Sequence, residues 1–107
     1  MADHPDDAPQ LTIQTNEDAA GVPLICLAGE LDLATAPQVR AAGQAALGAG
    51  ADRIVFELGG LEFMDSSGLR VLLEIASDAS VRLRDASGAV RRVIESTGVE
   101  TILKLES

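Results

Sequence analysis

The four residues Asp65-Ser66-Ser67-Gly68 bring one carboxylate and two hydroxyls together. They follow an apolar, β-branched run at residues 53–58 and precede apolar residues with helical spacing at 69–76, so the sequence predicts a strand, this junction and then a helix. A hydroxyl or carboxylate at the start of a helix can accept hydrogen bonds from the unpaired backbone N–H groups of the first turn. One of these three side chains is therefore predicted to cap the second helix.

The same position could hold a phosphoryl group. A helix N-terminus carries partial positive charge, so a phosphate on Ser66 could be accommodated by N–H donors without unfolding the chain. Because Asp65 already makes the surface negative, the added charge would repel an acidic or apolar partner. The residues thus predict a modification that controls docking rather than folding.

Catalysis and metal binding need groups that this sequence does not supply near the junction. A serine nucleophile requires a base, but the single histidine is His4, the single lysine is Lys104, and the Gly-x-Ser-x-Gly elbow is missing. Glu30 and Asp32 form a second acidic pair, yet further ligands would have to come from elsewhere in the chain. We expect no enzyme activity, no metal and no cofactor.

Composition restricts the class of partner. The chain has 107 residues and a net charge of −9, with no tryptophan or tyrosine. Because the chain is acidic and Phe56 and Phe63 are its only aromatic residues, it lacks the basic surface and the stacking surface that bind nucleic acid, and we expect no nucleic-acid binding. Residues 1–10 are acidic and proline-containing and predict a disordered leader, followed by one domain at 11–107. With no signal peptide and no membrane span, we expect a cytoplasmic monomer.

The hydrophobic pattern predicts alternating strands and helices. An alternating strand at 11–15 and a continuous apolar strand at 22–28 predict an antiparallel hairpin, with the second strand and Cys26 buried on both faces. Thr35 and Gln38 have capping-box spacing at the start of a first helix that ends near Gly48. Gly59-Gly60 is predicted to be a flexible lead into the junction. Further elements are predicted as a strand at 81–84, a helix after Ser87 that stops at Gly98, and a last strand near 102–105.

Two segments resemble a known family. Gly29-Glu30-Leu31-Asp32, followed about thirty residues later by the segment from Phe63 to Leu69, is similar to the STAS domain family and in particular to bacterial anti-sigma factor antagonists. The resemblance implies an α/β fold, a single STAS-like domain with a mixed four- to five-stranded sheet and about three to four helices. It also implies reversible phosphorylation of the first serine, Ser66, with Ser67 as the alternative.

The resemblance further implies how the protein acts. The unphosphorylated form would bind an anti-sigma factor serine kinase and release the sigma factor, and phosphorylation of Ser66 would block that binding. A Ser/Thr phosphatase would restore the serine, and transcription would be regulated through this partner switching. The implied partner-binding residues are Asp32, Asp65, Ser66, Ser67, Gly68 and Leu69. Two alternatives stay open: a STAS subunit that regulates assembly of a membrane lipid transporter, and a small nucleotide-binding STAS protein.

Overall fold

The computed structural model of the protein describes residues 10–106, so the predicted leader lies outside the described residues except for Gln10. Five strands and three α-helices alternate along the chain, with a short 3-10 helix at Val99–Thr101 before the last strand. They are β1 (Leu11–Glu17), β2 (Pro23–Leu31), α1 (Ala36–Gly48), β3 (Arg53–Met64), α2 (Ser66–Ala76), β4 (Ser80–Arg84), α3 (Gly88–Ser96) and β5 (Leu103–Glu106). The predicted α/β class, with a mixed sheet of up to five strands and three helices, is confirmed.

The strands lie in the sheet in chain order, from β1 at one edge to β5 at the other. β1 and β2 form the predicted antiparallel hairpin, and the remaining neighbours are parallel. Parallel neighbours need crossover connections, which α1, α2 and α3 provide. Consequently β2 and β3 end at the same edge of the sheet, where Leu31 is paired in register with Met64.

The hydrophobic core lies on one face of the sheet. Strand residues such as Ile25, Phe56 and Leu83 pack there with helix residues such as Leu72 and Val90. On the opposite face Val55 is buried, but most side chains are exposed or half-buried, and they include Gln14, Cys26, Glu57, Arg82 and Lys104. The prediction that β2 and Cys26 are buried on both faces is therefore wrong. All three helices pack against the same face of the sheet. Alternate residues of β2 therefore lie on the other face, which no helix covers.

Gly59 and Gly60 lie inside β3 and do not form the predicted flexible lead. β3 continues to Met64, and its pairing with β2 shifts register beside these glycines. Gly60 faces Ala28 so closely that a Cβ on Gly60 would lie 2.9 Å from the Ala28 Cβ. The strand therefore uses glycine here for close backbone approach and irregular pairing rather than for a turn.

Two hydroxyls that were predicted to cap helices make other hydrogen bonds. Helix α1 begins after Thr35, but the Thr35 side chain makes no capping bond, so the predicted capping box with Gln38 is wrong. Ser87 precedes α3 as predicted, but its hydroxyl donates to the Leu61 carbonyl at 3.3 Å. Nearby backbone carbonyls compete successfully for both hydroxyls. The predicted stop after α3 is confirmed, because Gly98 adopts the left-handed conformation with φ 72°.

Candidate functional site

The predicted site residues meet at the edge of the sheet where β2 and β3 end. Asp32 directly follows β2, and Asp65 directly follows β3. The two turns are joined by the backbone, because the Asp65 N–H donates to the Leu31 carbonyl at 3.2 Å. Residues that are 33 positions apart in the chain are thus brought side by side.

Asp65 is the residue that caps helix α2. It has an extended backbone, and its Oδ1 accepts from the N–H groups of Ser67 at 2.9 Å and Gly68 at 3.3 Å. The Asp65 carbonyl also accepts the Leu69 N–H at 3.2 Å. Of the three possible caps, the carboxylate is therefore the one used, and it occupies two N–H donors of the first turn.

Capping by Asp65 leaves both serine hydroxyls unused. Ser66 is exposed and Ser67 is half-buried. Within residues 10–106, neither side chain makes a hydrogen bond to another protein group. A hydroxyl on a fixed helix turn, exposed to solvent and not engaged in any bond, is sterically accessible to an incoming phosphoryl donor.

Gly68 and Leu69 lie beneath this surface. Leu69 is only 5% exposed and belongs to the core. Gly68 is buried so closely that a Cβ would lie 2.5 Å from Leu31 Cγ and 2.8 Å from its Cδ2. These two residues thus pack the first turn of α2 against the ends of β2 and β3, and they support the exposed residues from below.

The turn after β2 is held by Asp32 and Thr35. Asp32 Oδ1 accepts from the N–H groups of Ala34 at 3.0 Å and Thr35 at 3.1 Å. The Thr35 hydroxyl accepts the Asp32 N–H at 2.9 Å and donates to the Glu30 carbonyl, also at 2.9 Å. Thr35 is only 4% exposed. These bonds fix the backbone that carries Asp32, a role of Thr35 that its sequence position alone does not indicate.

Glu30 and Asp32, the acidic pair noted in the sequence, differ in burial and in hydrogen bonding. Glu30 is exposed within β2, and its backbone N–H donates to the Gln10 carbonyl at 2.8 Å. Asp32 is half-buried, and its Oδ1 accepts hydrogen bonds from two backbone N–H groups of its own turn. Over residues 10–106, no group of three or more histidine, cysteine, aspartate or glutamate side chains is arranged to hold a metal ion.

Apolar side chains flank the two acidic turns. Leu33 is 76% exposed and Phe63 is 46% exposed, although both are large hydrophobic residues. Protein interaction surfaces typically include exposed apolar area with a polar rim, so Leu33 and Phe63 are candidates for contact with a partner. The sequence motif did not single out Leu33, because its exposure depends on the turn built by Asp32 and Thr35.

A cavity of about 200 Å³ lies beside the serines, between α1 and α2. Its lining residues are Leu33, Ala36, Pro37, Arg40, Ser66, Ser67, Arg70 and Val71. Two of them, Arg40 and Arg70, bring positive charge to an otherwise acidic edge. The position of Arg70 four residues after Ser66 on one helix could have identified it from the sequence. Arg40 comes from another helix and could not be found in this way.

In the part of the chain that the structure describes, each helix is too short or too polar to cross a lipid bilayer.

Comparison with known proteins gives consistent matches over most of the chain. A family model described as "Mlab, STAS domain" matches residues 15–105. BtrV of Bordetella bronchiseptica, provisionally named an anti-sigma factor antagonist, is 33% identical over 97 residues, which cover 82% of this chain and 80% of BtrV.

Solved structures agree with this match. A crystal structure of an anti-sigma factor antagonist from Mycobacterium paratuberculosis superposes with a TM-score of 0.82 at 26% identity, covering 95% of this chain and 87% of that one. The anti-sigma factor antagonist SpoIIAA in its unphosphorylated form gives a TM-score of 0.75 at 25% identity, covering 90% and 89%. SpoIIAA from Bacillus has also been solved in the phosphorylated form, which has the same fold with a TM-score of 0.69 at 24% identity and coverage of 90% and 92%. From the extent of the family match and the identity to BtrV, the chain belongs to the STAS domain family.

Proposed function

We propose that the protein is an anti-sigma factor antagonist controlled by phosphorylation of Ser66. In its unphosphorylated form it binds an anti-sigma factor kinase, and the sigma factor is released. The observation that carries this proposal is the exposed, unbonded Ser66 hydroxyl at the capped start of α2, beside Asp32 and two exposed apolar residues. The names of the relatives support it, and SpoIIAA exists in both phosphorylation states.

The proposed contact surface combines charge with apolar area. Asp32, Asp65, Ser66 and Ser67 supply its polar part, with Gly68 and Leu69 supporting the helix turn from below. Leu33 and Phe63 supply apolar area that a partner could cover. A phosphate adds about two negative charges at neutral pH, so modification in the middle of this surface makes an interface that already carries two aspartates still more negative.

Rigidity of the two turns explains why modification acts on docking. The backbone around Asp32 and Asp65 is fixed by side-chain bonds to its own N–H groups, and Leu31 and Met64 beneath it are buried. A phosphate on the exposed Ser66 disturbs none of these bonds. We therefore infer that the phosphorylated protein keeps its fold and loses affinity for the kinase.

The remaining parts of the proposal concern partners and organisation. A Ser/Thr phosphatase returns Ser66 to the binding form, and the sigma factor is affected only through the kinase. Residues 11–107 act as one STAS domain behind the acidic leader, and the protein works as a cytoplasmic monomer that itself catalyses no reaction.

A kinase assay tests this function. The full chain is incubated with ATP and the anti-sigma factor kinase encoded nearest its gene, and the product is examined by intact mass and by site mapping. We expect one phosphate on Ser66, none on Ser66→Ala, and normal labelling of Ser67→Ala. Ser66→Ala should also bind the kinase in the presence of ATP, whereas the wild type is released. Labelling of Ser67 in place of Ser66 would move the site, and labelling of neither serine would refute phosphorylation control.

A further inference from the structure

A phosphate on Ser66 would enter an environment that is less favourable than an empty helix N-terminus. The Asp65 carboxylate already accepts the N–H groups of Ser67 and Gly68. The backbone donors that usually stabilise a phosphate at a helix start are thus largely occupied, and the occupying group is itself negative. Positively charged side chains near Ser66 are therefore the remaining protein groups that can bind the phosphate.

Arg70 is the first such group. It lies four residues after Ser66 on α2, which places the two side chains on the same face of the helix. Arg70 is exposed, and among residues 10–106 no carboxylate oxygen lies within 4.0 Å of its guanidinium. Its charge is thus free to bind an added anion.

Arg40 is the second group and comes from α1. It lines the same 200 Å³ cavity as Ser66, Ser67 and Arg70. Its Nε donates to Glu74 Oε1 at 3.0 Å, and this bond leaves the two terminal nitrogens of the guanidinium as further donors. The cavity, at about 200 Å³, has room for a phosphoryl group.

We propose that phosphoserine 66 is bound within its own chain by a two-arginine pocket, in which Arg70 is the main ligand and Arg40 completes the site from the neighbouring helix. This proposal rests on phosphorylation of Ser66 as the regulatory event. Arginine binds phosphate oxygens through paired N–H donors, and a phosphate between α1 and α2 would tie these helices together. The modified state would then be an ordered surface with its charge turned toward the pocket.

A titration of the phosphate tests this proposal without any kinase. Phosphoserine is placed at position 66 of the full chain during translation, and the second pKa of the phosphate is followed by phosphorus NMR against pH. Nearby guanidinium groups favour the dianion, whereas the adjacent Asp65 carboxylate disfavours it. If the two arginines bind the phosphate and outweigh Asp65, this pKa lies below the value of about 6 for a free phosphoserine. Arg70→Gln should raise it by roughly half a unit, the effect of losing an opposite charge at a partly exposed site. Arg40→Gln should raise it by less.

Arg91→Gln on α3 is the matched control, because it removes one positive charge from an arginine that pairs with Glu95 and lines no part of the pocket. A phosphate pKa that is unaffected by Arg70→Gln, or that moves equally with Arg91→Gln, would overturn the proposal. Since phosphoserine is installed directly, this result is independent of whether a kinase recognises Ser66. Failure of the kinase assay would refute the proposed function and leave the arginine pocket to be judged by this titration alone.

Discussion

The turns after β2 and β3 are built in the same way and yet present their hydroxyls differently. In each, an aspartate directly follows a parallel strand and accepts two backbone N–H groups of its own turn: Asp32 from Ala34 and Thr35, and Asp65 from Ser67 and Gly68. The Thr35 hydroxyl is buried and bonded on both sides, whereas the Ser66 hydroxyl is exposed and unbonded. One hydroxyl stabilises the edge of the sheet, and the other is left available for chemistry.

This difference separates the structural role of Thr35 from the regulatory role proposed for Ser66. A buried hydroxyl that satisfies two backbone groups cannot be modified or removed without cost to folding. An exposed one can gain or lose a phosphate with little effect on stability. We therefore expect substitutions in the β2 turn and in the packing beneath both turns to change folding free energy, and substitutions of the serines to change partner binding.

Gly68→Ala should have the largest effect on stability, because the added methyl group would overlap the side chains packed beneath both turns. Its new Cβ would lie 2.5 Å from Leu31 Cγ, a branch point with little freedom to move. We expect a loss of about 3 kcal/mol in the free energy of unfolding, measured by urea denaturation. Gly88→Ala at the start of α3 is the control, because its Cβ meets no atom within 4 Å. Equal stability of the two variants would show that α2 is not tightly seated on β2 and β3.

Thr35→Val and Ser66→Ala test the two hydroxyls directly. Thr35→Val keeps the side-chain shape but leaves the Asp32 N–H and the Glu30 carbonyl without their partner, so we expect a loss of about 2 kcal/mol. Ser66→Ala removes an exposed hydroxyl that makes no bond and should change stability by less than about 0.5 kcal/mol. Both values come from urea denaturation. A destabilised Ser66→Ala would mean that this hydroxyl also has a structural role.

Asp65→Ala and Asp65→Asn separate hydrogen bonding from charge at the cap. Alanine removes the acceptor for two N–H groups and should cost about 1 kcal/mol of unfolding free energy. Asparagine retains an acceptor oxygen and should recover most of this loss. If asparagine is as unstable as alanine, the carboxylate stabilises α2 mainly through its charge at the helix N-terminus. Asp32→Ala should behave like Asp65→Ala, since its turn has the same construction.

Substitution of Glu57 is expected to have the smallest effect on stability. The surroundings of Glu57 differ from those of Asp32 and Asp65. Its Oε1 also accepts an N–H two residues ahead, from Gly59 at 2.5 Å, but it faces another acid. Partial burial, together with a hydrogen bond and the charge of Asp85, raises the pKa of Glu57 above its ordinary value of 4.5. The protonated form therefore contributes its full stability below the unfolded pKa of 4.5, and this contribution is lost as the pH rises through the raised pKa of the folded state.

Glu57→Gln removes this loss. We expect the variant to melt slightly higher than the wild type at neutral pH, and the difference to disappear as the pH falls below about 4. Melting temperatures measured by circular dichroism across this range provide the test. Because the side chain is only partly buried, the change should be small. A lower melting temperature for Glu57→Gln at neutral pH would show that the ionised carboxylate stabilises the strand.

Much of the architecture could be predicted from short-range patterns. The antiparallel hairpin, the start of α2 at Ser66 or Ser67, the alternation in β4 and the stop at Gly98 all follow from residues close together in the chain. The errors occurred where a distant group decided the outcome. The Ser87 hydroxyl donates to the Leu61 carbonyl, 26 positions away, and Gly60 lies within β3, where it closely approaches Ala28.

The sequence by itself determined that a strand leads into a helix at Asp65-Ser66-Ser67-Gly68, because capping and hydrophobic period act within a few residues. Only the tertiary structure decided that Asp32 lies beside this junction, since parallel pairing of β2 with β3 brings their ends together. It also decided which hydroxyl is buried, and that Arg40 of α1 lines the same cavity as the serines of α2. Burial and charge at a site depend on contacts between residues far apart in the chain, and local sequence patterns do not predict these contacts.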